Sequence, residues 1–132
     1  MSDMYGISSL AAAFAGNESC AAVYVDVSGT IRSWNRAAEI LFGHSAGEAI
    51  GRRADLIVPP PLRDMHWAGF NRAVRSPWPG NQSWGPIEPL HRDGYLLTLE
   101  VFLIALHTSS PEPAGGLLAL FRDPSGGSAA ER

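Results

Sequence analysis

Cysteine is almost missing from this chain: of 132 residues, Cys20 alone carries a thiol. That rules out an internal disulfide framework and a cysteine-built zinc cluster, and it suits a reducing compartment. Positive charge is scarce too. Ten basic residues against thirteen acidic ones leave a net charge of -3, so no broad positive field exists to hold phosphate backbones or anionic lipid, and nucleic acid is not an expected partner. No apolar stretch approaches the roughly 20 residues of a membrane-spanning helix, and Met-Ser-Asp-Met-Tyr at the start has no basic residues ahead of an apolar run. Membrane helix and signal peptide are therefore excluded, and a cytoplasmic location is expected. Nucleophile elbow, phosphate loop and histidine pairs at metal-ligand spacing are all lacking, so an enzyme is not expected. What the chain has is 45% hydrophobic and 17% charged residues, a balance that folds as one globular domain of this length.

Residues 7–15 form an alanine-rich apolar run read as one short helix within an N-terminal arm, 1–19, closed by the turn residues Gly16-Asn17-Glu18-Ser19. Val23, Val25 and Val27 then alternate with Tyr24 and Asp26, and Ser28-Gly29 leads to Thr30-Ile31-Arg32-Ser33-Trp34, which predicts a hairpin. Asn35 suits a helix N-cap, Ala37, Ala38, Ile40 and Leu41 keep helical spacing, and Gly43 suits the stop. Ser45 with Glu48 matches a capping box for a further short helix reaching Gly51. Residues 54–58 read as irregular or 3₁₀ structure, and Pro59-Pro60-Pro61 opens the longest helix, through about Val74. After a Pro/Gly/Asn-rich break at 76–81 comes a strand over 82–92, put on a sheet edge by Pro86 and Pro89. Asp93-Gly94 predicts a type I′ turn into a strong strand over 95–106, residues 108–116 a loop, residues 117–122 a last strand, and 124–132 a flexible polar tail.

Two strands, a row of short helices, one longer helix and three strands is an order that resembles the PAS family. Asp26 and Gly29 match its D-x-x-G turn, and Trp34, Asn35, Ala38, Glu39, Phe42 and Gly43 its W-N-x-A-A-E-x-L-F-G run. His91-Arg92-Asp93-Gly94, Gly51 and Phe121-Arg122-Asp123 extend the likeness over residues 20–123. The resemblance implies an α+β PAS fold, a five-stranded antiparallel sheet with helices closing over a ligand cavity, and a sensory module as its function.

The longest helix, Leu62-Arg63-Asp64-Met65-His66-Trp67-Ala68-Gly69-Phe70-Asn71-Arg72, is similar to that of the haem-binding PAS domains of the FixL type. By that resemblance His66 would be the proximal iron ligand of haem b, Arg72 would stand near the propionates, and Val101 and Leu103 would line an apolar distal side for a diatomic gas. Helical spacing sets His66 on one face with Leu62, Met65, Gly69, Phe70 and Ala73, toward the cavity. Gly69 leaves room there for a flat ring. Arg72, about 240° around the helix from His66, reaches only the pocket rim. A second reading stands beside this one: His66 as a half-buried structural residue bonded to a carbonyl or carboxylate, in a cofactor-free module for dimerisation or docking. Gly85, with Trp84 and Pro86 beside it, occupies the place of the arginine that answers to oxygen in the FixL type, so that switch is not copied.

His44, His91 and His107 read as solvated residues, and Trp67, Trp78 and Trp84 as core, with pocket or interface as second choices. The reactive-cysteine motif G-x-N-C-R-F-L-Q of flavin photosensors is missing, which excludes a flavin photoadduct and leaves non-covalent flavin open. Leu10, Ala11, Phe14 and Ala15 give the arm an apolar side, from which a homodimer is expected. The helix-breaking Pro124-Ser125-Gly126-Gly127 leaves two expectations, a fragment of a larger sensor or output by association with an effector protein in trans.

Overall fold

The computed structural model describes residues 20–75, 83–106 and 115–124. The arm helix expected at 7–15, the apolar arm residues behind the homodimer, His107, Trp78 and the tail from 125 lie outside them.

A five-stranded antiparallel sheet in the order β2-β1-β5-β4-β3 forms the frame, built from β1 (Ala21–Val25), β2 (Ile31–Trp34), β3 (Gly85–Ile87), β4 (Leu99–Leu106) and β5 (Gly116–Arg122). This is the α+β architecture that the order of elements implied. Register carries the alternation across the strands. Val23 pairs with Ala119 and Ala119 with Leu103, while Ala21, Phe121 and Val101 form the next row. These rows share the inner face with Ile31, Trp34, Leu99 and Leu117. Ala22, Leu118, Leu120 and Leu106 form a second cluster with Tyr24, Trp84, Phe102 and Ile104, as the period of two requires of the opposite face.

Between β2 and β3 run α1 (Arg36–Phe42), α2 (Ala46–Ala49), 3₁₀ turns at Ala54–Ile57 and Pro60–Leu62, and α3 (Arg63–Arg75). The caps fall where the residue chemistry puts them. Asn35 Oδ1 accepts from Ala38 N at 3.0 Å, Gly43 adopts a left-handed φ of 84°, and Ser45 and Glu48 cap each other reciprocally. Asn35 is also buried, accepting from Ala22 N (2.9 Å) and donating through Nδ2 to the Cys20 carbonyl (2.8 Å), which ties the helix start to β1.

Four expectations need correction. The prolines, expected to open the longest helix, make a separate 3₁₀ turn instead, and α3 starts at Arg63. The strand expected over 82–92 shrinks to Gly85–Ile87. Pro86 and Pro89 lack the N–H a ladder needs, and the next one, on Leu90, donates to Ile57 O at 2.8 Å, outside the sheet. β4 starts at Leu99, four residues later than expected. The turn at Asp93-Gly94 is not type I′: Gly94 has φ 97°, but no non-glycine residue among those described has positive φ. His91 N bonds Tyr95 O (2.8 Å) and Gly94 N bonds His91 O (2.9 Å), a three-residue loop with left-handed glycine at its end.

Candidate functional site

Helix α3 crosses the inner face of the sheet, yet Phe70 is its one buried residue. The space beneath it is a cavity of about 820 Å³, a size typical of small-molecule and cofactor sites. Met65, His66, Gly69, Phe70 and Ala73 of α3 contribute to its wall, Ile57, Val58 and Pro59 one side, and the sheet supplies Val23, Val25, Ile31, Val101, Leu103 and Ala119 among others. Six of the seven residues expected at a ligand site are thus brought together: Met65, His66, Gly69, Phe70, Val101 and Leu103. The seventh, Arg72, is exposed and outside the wall, its guanidinium 4.0 Å from where a Cβ on Gly69 would lie. Met65 is a rim residue, 69% exposed. With exposed Leu62, Pro86, Glu88 and Thr98 it marks where the cavity meets solvent.

Among the described residues the interior is apolar apart from one side chain. Trp34 faces the cavity, but its indole N–H is committed to the His44 carbonyl at 3.0 Å, and it is fully buried at 4% exposure. Glu88 and Thr98 stand at the mouth. That leaves His66, half-buried and stacked 6.4 Å from the Phe70 ring. Burial pushes its pKa below the ordinary 6.5, the Asp55 carboxylate pulls it upward, and the Arg53 guanidinium adds to the lowering. The ring is therefore neutral at pH 7. Its Nδ1 is enclosed without a hydrogen-bond partner. Neutral imidazole carries one N–H and one lone pair, so in either tautomer Nδ1 is an unmet polar atom packed beside the cavity, a state that ordinarily costs about 1–3 kcal/mol. The alternative of a structural histidine bonded to a carbonyl or carboxylate lacks that bond at Nδ1.

The other candidates fall elsewhere. His44 is half-buried with its ring edge 6.3 Å from Trp34, and His91 stacks on Tyr95 at 4.4 Å; neither is a freely solvated residue and neither lines the cavity. Trp84 packs on Phe102 beneath Arg122 in the second cluster. Cys20 is half-buried outside the cavity, its thiol pKa raised by burial. Trp67 is neither in the cavity wall nor a free surface residue: its indole N–H donates to Asp55 Oδ2 at 3.0 Å. Sequence alone carries no signal for that pairing, since the partner lies twelve residues earlier.

Haem and flavin can be tested against this wall. An isoalloxazine presents a row of ring carbonyls and an imide N–H, and among the described residues no amide side chain lines the cavity to meet them. A neutral imidazole on α3 facing apolar sheet residues, with Arg72 close to Gly69 outside the wall, does fit a haem macrocycle in residue type. Among the described residues no group of three or more His, Cys, Asp or Glu could hold a bare metal ion.

Comparison with known proteins agrees with this architecture. A family model described as PAS fold matches residues 17–126. A PAS domain from Colwellia psychrerythraea is similar at 27% identity, with a TM-score of 0.70 over 88% of this chain and 94% of that one. A domain of a sensory box sensor histidine kinase/response regulator from Geobacter sulfurreducens shares 20% identity at a TM-score of 0.64, over 91% of this chain and 96% of that one. A LOV domain of a blue-light activated histidine kinase from Erythrobacter litoralis shares 17% identity at 0.57, over 79% and 94%; at such identities the likeness is one of fold.

Proposed function

Because this chain belongs to the PAS family of sensory and signalling domains, we propose that it senses by holding a ligand in the cavity under α3, with His66 as the one polar contact and haem b as the ligand. The observation that carries this reading is the half-buried imidazole of His66 in the wall of a largely apolar chamber of about 820 Å³. A ligand that brings a Lewis acid to the imidazole satisfies the ring while its apolar body covers the sheet wall. Bound haem, held by His66, would supply an iron able to take a diatomic gas. The chain's own part is to keep His66 neutral by burial, to present it from α3, and to exclude polar groups from the facing wall. Val101 and Leu103 carry no hydrogen-bond donor, so a bound gas on that side would be held without polar assistance, which favours carbon monoxide or nitric oxide over dioxygen. Output would pass by association, as a homodimer or with an effector in trans.

Hemin added to the purified full chain should produce an intense near-ultraviolet haem band. His66→Ala should abolish the band while the far-ultraviolet circular dichroism of a folded α+β domain remains, and His44→Ala should change neither. A folded wild type that stays colourless overturns the haem reading, and a coloured His66→Ala reassigns the ligand.

A further inference from the structure

Trp67 is next to His66 in sequence, but successive helical residues point about 100° apart, so one looks into the cavity and the other toward the 3₁₀ segment. On its helix side the Trp67 ring meets two cavity residues edge-on, His66 at 4.7 Å and Phe70 at 5.4 Å. On its far side it meets the segment before α3. Asp55 accepts its N–H at 3.0 Å, and the Arg53 guanidinium lies 4.2 Å over the ring. Arg53 and its neighbour in turn hold the β1–β2 turn: Arg53 Nη1 donates to Ser28 O (3.3 Å) and Ala54 N to Gly29 O (2.9 Å). Gly29 itself lies against the indole, since a Cβ there would come within 2.5 Å of the ring. The helix's other anchors are Phe70, its one buried residue, Ala73 and Val74 packed against the core, and Arg63 Nε donating to Val58 O at 3.0 Å.

We infer that Trp67 is a positioning residue for the cavity, tying the ligand-facing side of α3 to the β1–β2 turn so that the place of His66 is set from outside the chamber. The tie is a property of the ligand-free chain; its effect on binding rests on the haem reading above. Its energetic core is one N–H donated to a carboxylate and one cation over an indole face, both removable without touching the cavity wall. Movement of His66 would be felt at residues 28–30, and a change in the turn would be felt at His66.

Hydrogen exchange of the full chain, read by mass spectrometry without ligand, tests the tie. In Trp67→Phe, which keeps a ring but loses the N–H, amides of 63–70 and of 27–31 should exchange about tenfold faster, the size of one hydrogen bond to a charged group, while α1 at 36–42 keeps its wild-type rate. Asp55→Asn, which retains an oxygen acceptor but loses the charge, should exchange at a rate between wild type and Trp67→Phe. If Trp67→Phe does not fold, Asp55→Ala removes the same bond from the other side and should give the same paired loosening. Acceleration confined to 63–70, or spread equally to α1, overturns the inference. In a second arm, Trp67→Phe should bind hemin about tenfold more weakly than wild type with an unchanged band shape, and equal affinity would separate Trp67 from the site. Should wild type bind no hemin, the haem reading fails and exchange alone decides on Trp67.

Discussion

Helix α1 spans seven residues, buries Ala38 and Phe42 completely, and is capped at both ends by Asn35 and Gly43; α3 spans thirteen and buries Phe70 alone. Both are flanked by the same sheet. Around Phe42 the space is filled, with Trp34 at 5.4 Å and Phe121 edge-on at 5.0 Å. Under α3 the corresponding space is open. The difference teaches how a small domain divides its labour, with close packing at one end supplying stability and the other end left hollow for an occupant.

The comparison would break most directly at the two phenylalanines. Phe42→Ala should cost about 3–5 kcal/mol, the range for truncating a fully packed aromatic, whereas Phe70→Ala, whose ring already faces open space on one side, should cost about 1–3 kcal/mol. Equal costs in urea denaturation would mean that α3 is packed as tightly as α1. Asn35→Ala comes next, at about 2–3 kcal/mol, because it removes an N-cap, a buried bond to Ala22 of β1 and a part-buried bond to Cys20 just before it; a loss below about 0.5 kcal/mol would contradict that triple role. On the hollow side the sign should reverse. His66→Leu replaces an unpartnered polar ring by an apolar one and should stabilise the chain by about 1 kcal/mol while removing ligand binding, and a destabilised, still binding variant would refute both parts.

The smallest effect lies in the β1–β2 turn. Burial would raise the pKa of Asp26, but hydrogen bonds from the Ser28 side chain, Arg32, and the backbone of Thr30 and Ser28 hold it below the ordinary 3.8. The unfolded chain therefore binds the proton more tightly than the folded one. The contribution is complete above 3.8 and is lost as pH falls through the lower folded value. The stability gap between wild type and Asp26→Asn, measured by denaturation at a series of pH values, should be constant near neutrality and should narrow only in acid. A gap that narrows between pH 8 and 6 would assign the effect to another group.

Much of this was legible because its causes are local. Asn35, Gly43 and the Ser45–Glu48 pair act on backbone groups within four residues, so their types and spacing announce them. The inward face of α3 was legible from its period, and Val101 and Leu103 came through the family likeness. Arg72 and Met65 mark the boundary: helical phase shows which way a residue leaves the axis, but whether it ends in the wall, on the rim or in water depends on how far the helix stands from the sheet. The turn at Asp93-Gly94 was misjudged because the dipeptide admits more than one hairpin loop, and the partner of His91, Tyr95, chooses among them.

By itself, then, the sequence determined the order of elements, the caps, the alternation of the first strand and the presence of an imidazole on the inward side of the longest helix, since all of these follow from residue type and short-range periodicity. Only the tertiary structure decided that the wall opposite His66 offers it no partner, that β3 stops after three residues, and that Trp67 joins Asp55, Arg53 and Gly29. Those are meetings between residues far apart in the chain. Gly29 shows the division within one residue: its φ of 89° is a local demand of the turn, readable from Ser28-Gly29, but the indole that forbids a side chain there arrives from 38 residues away, brought by the packing of the whole domain.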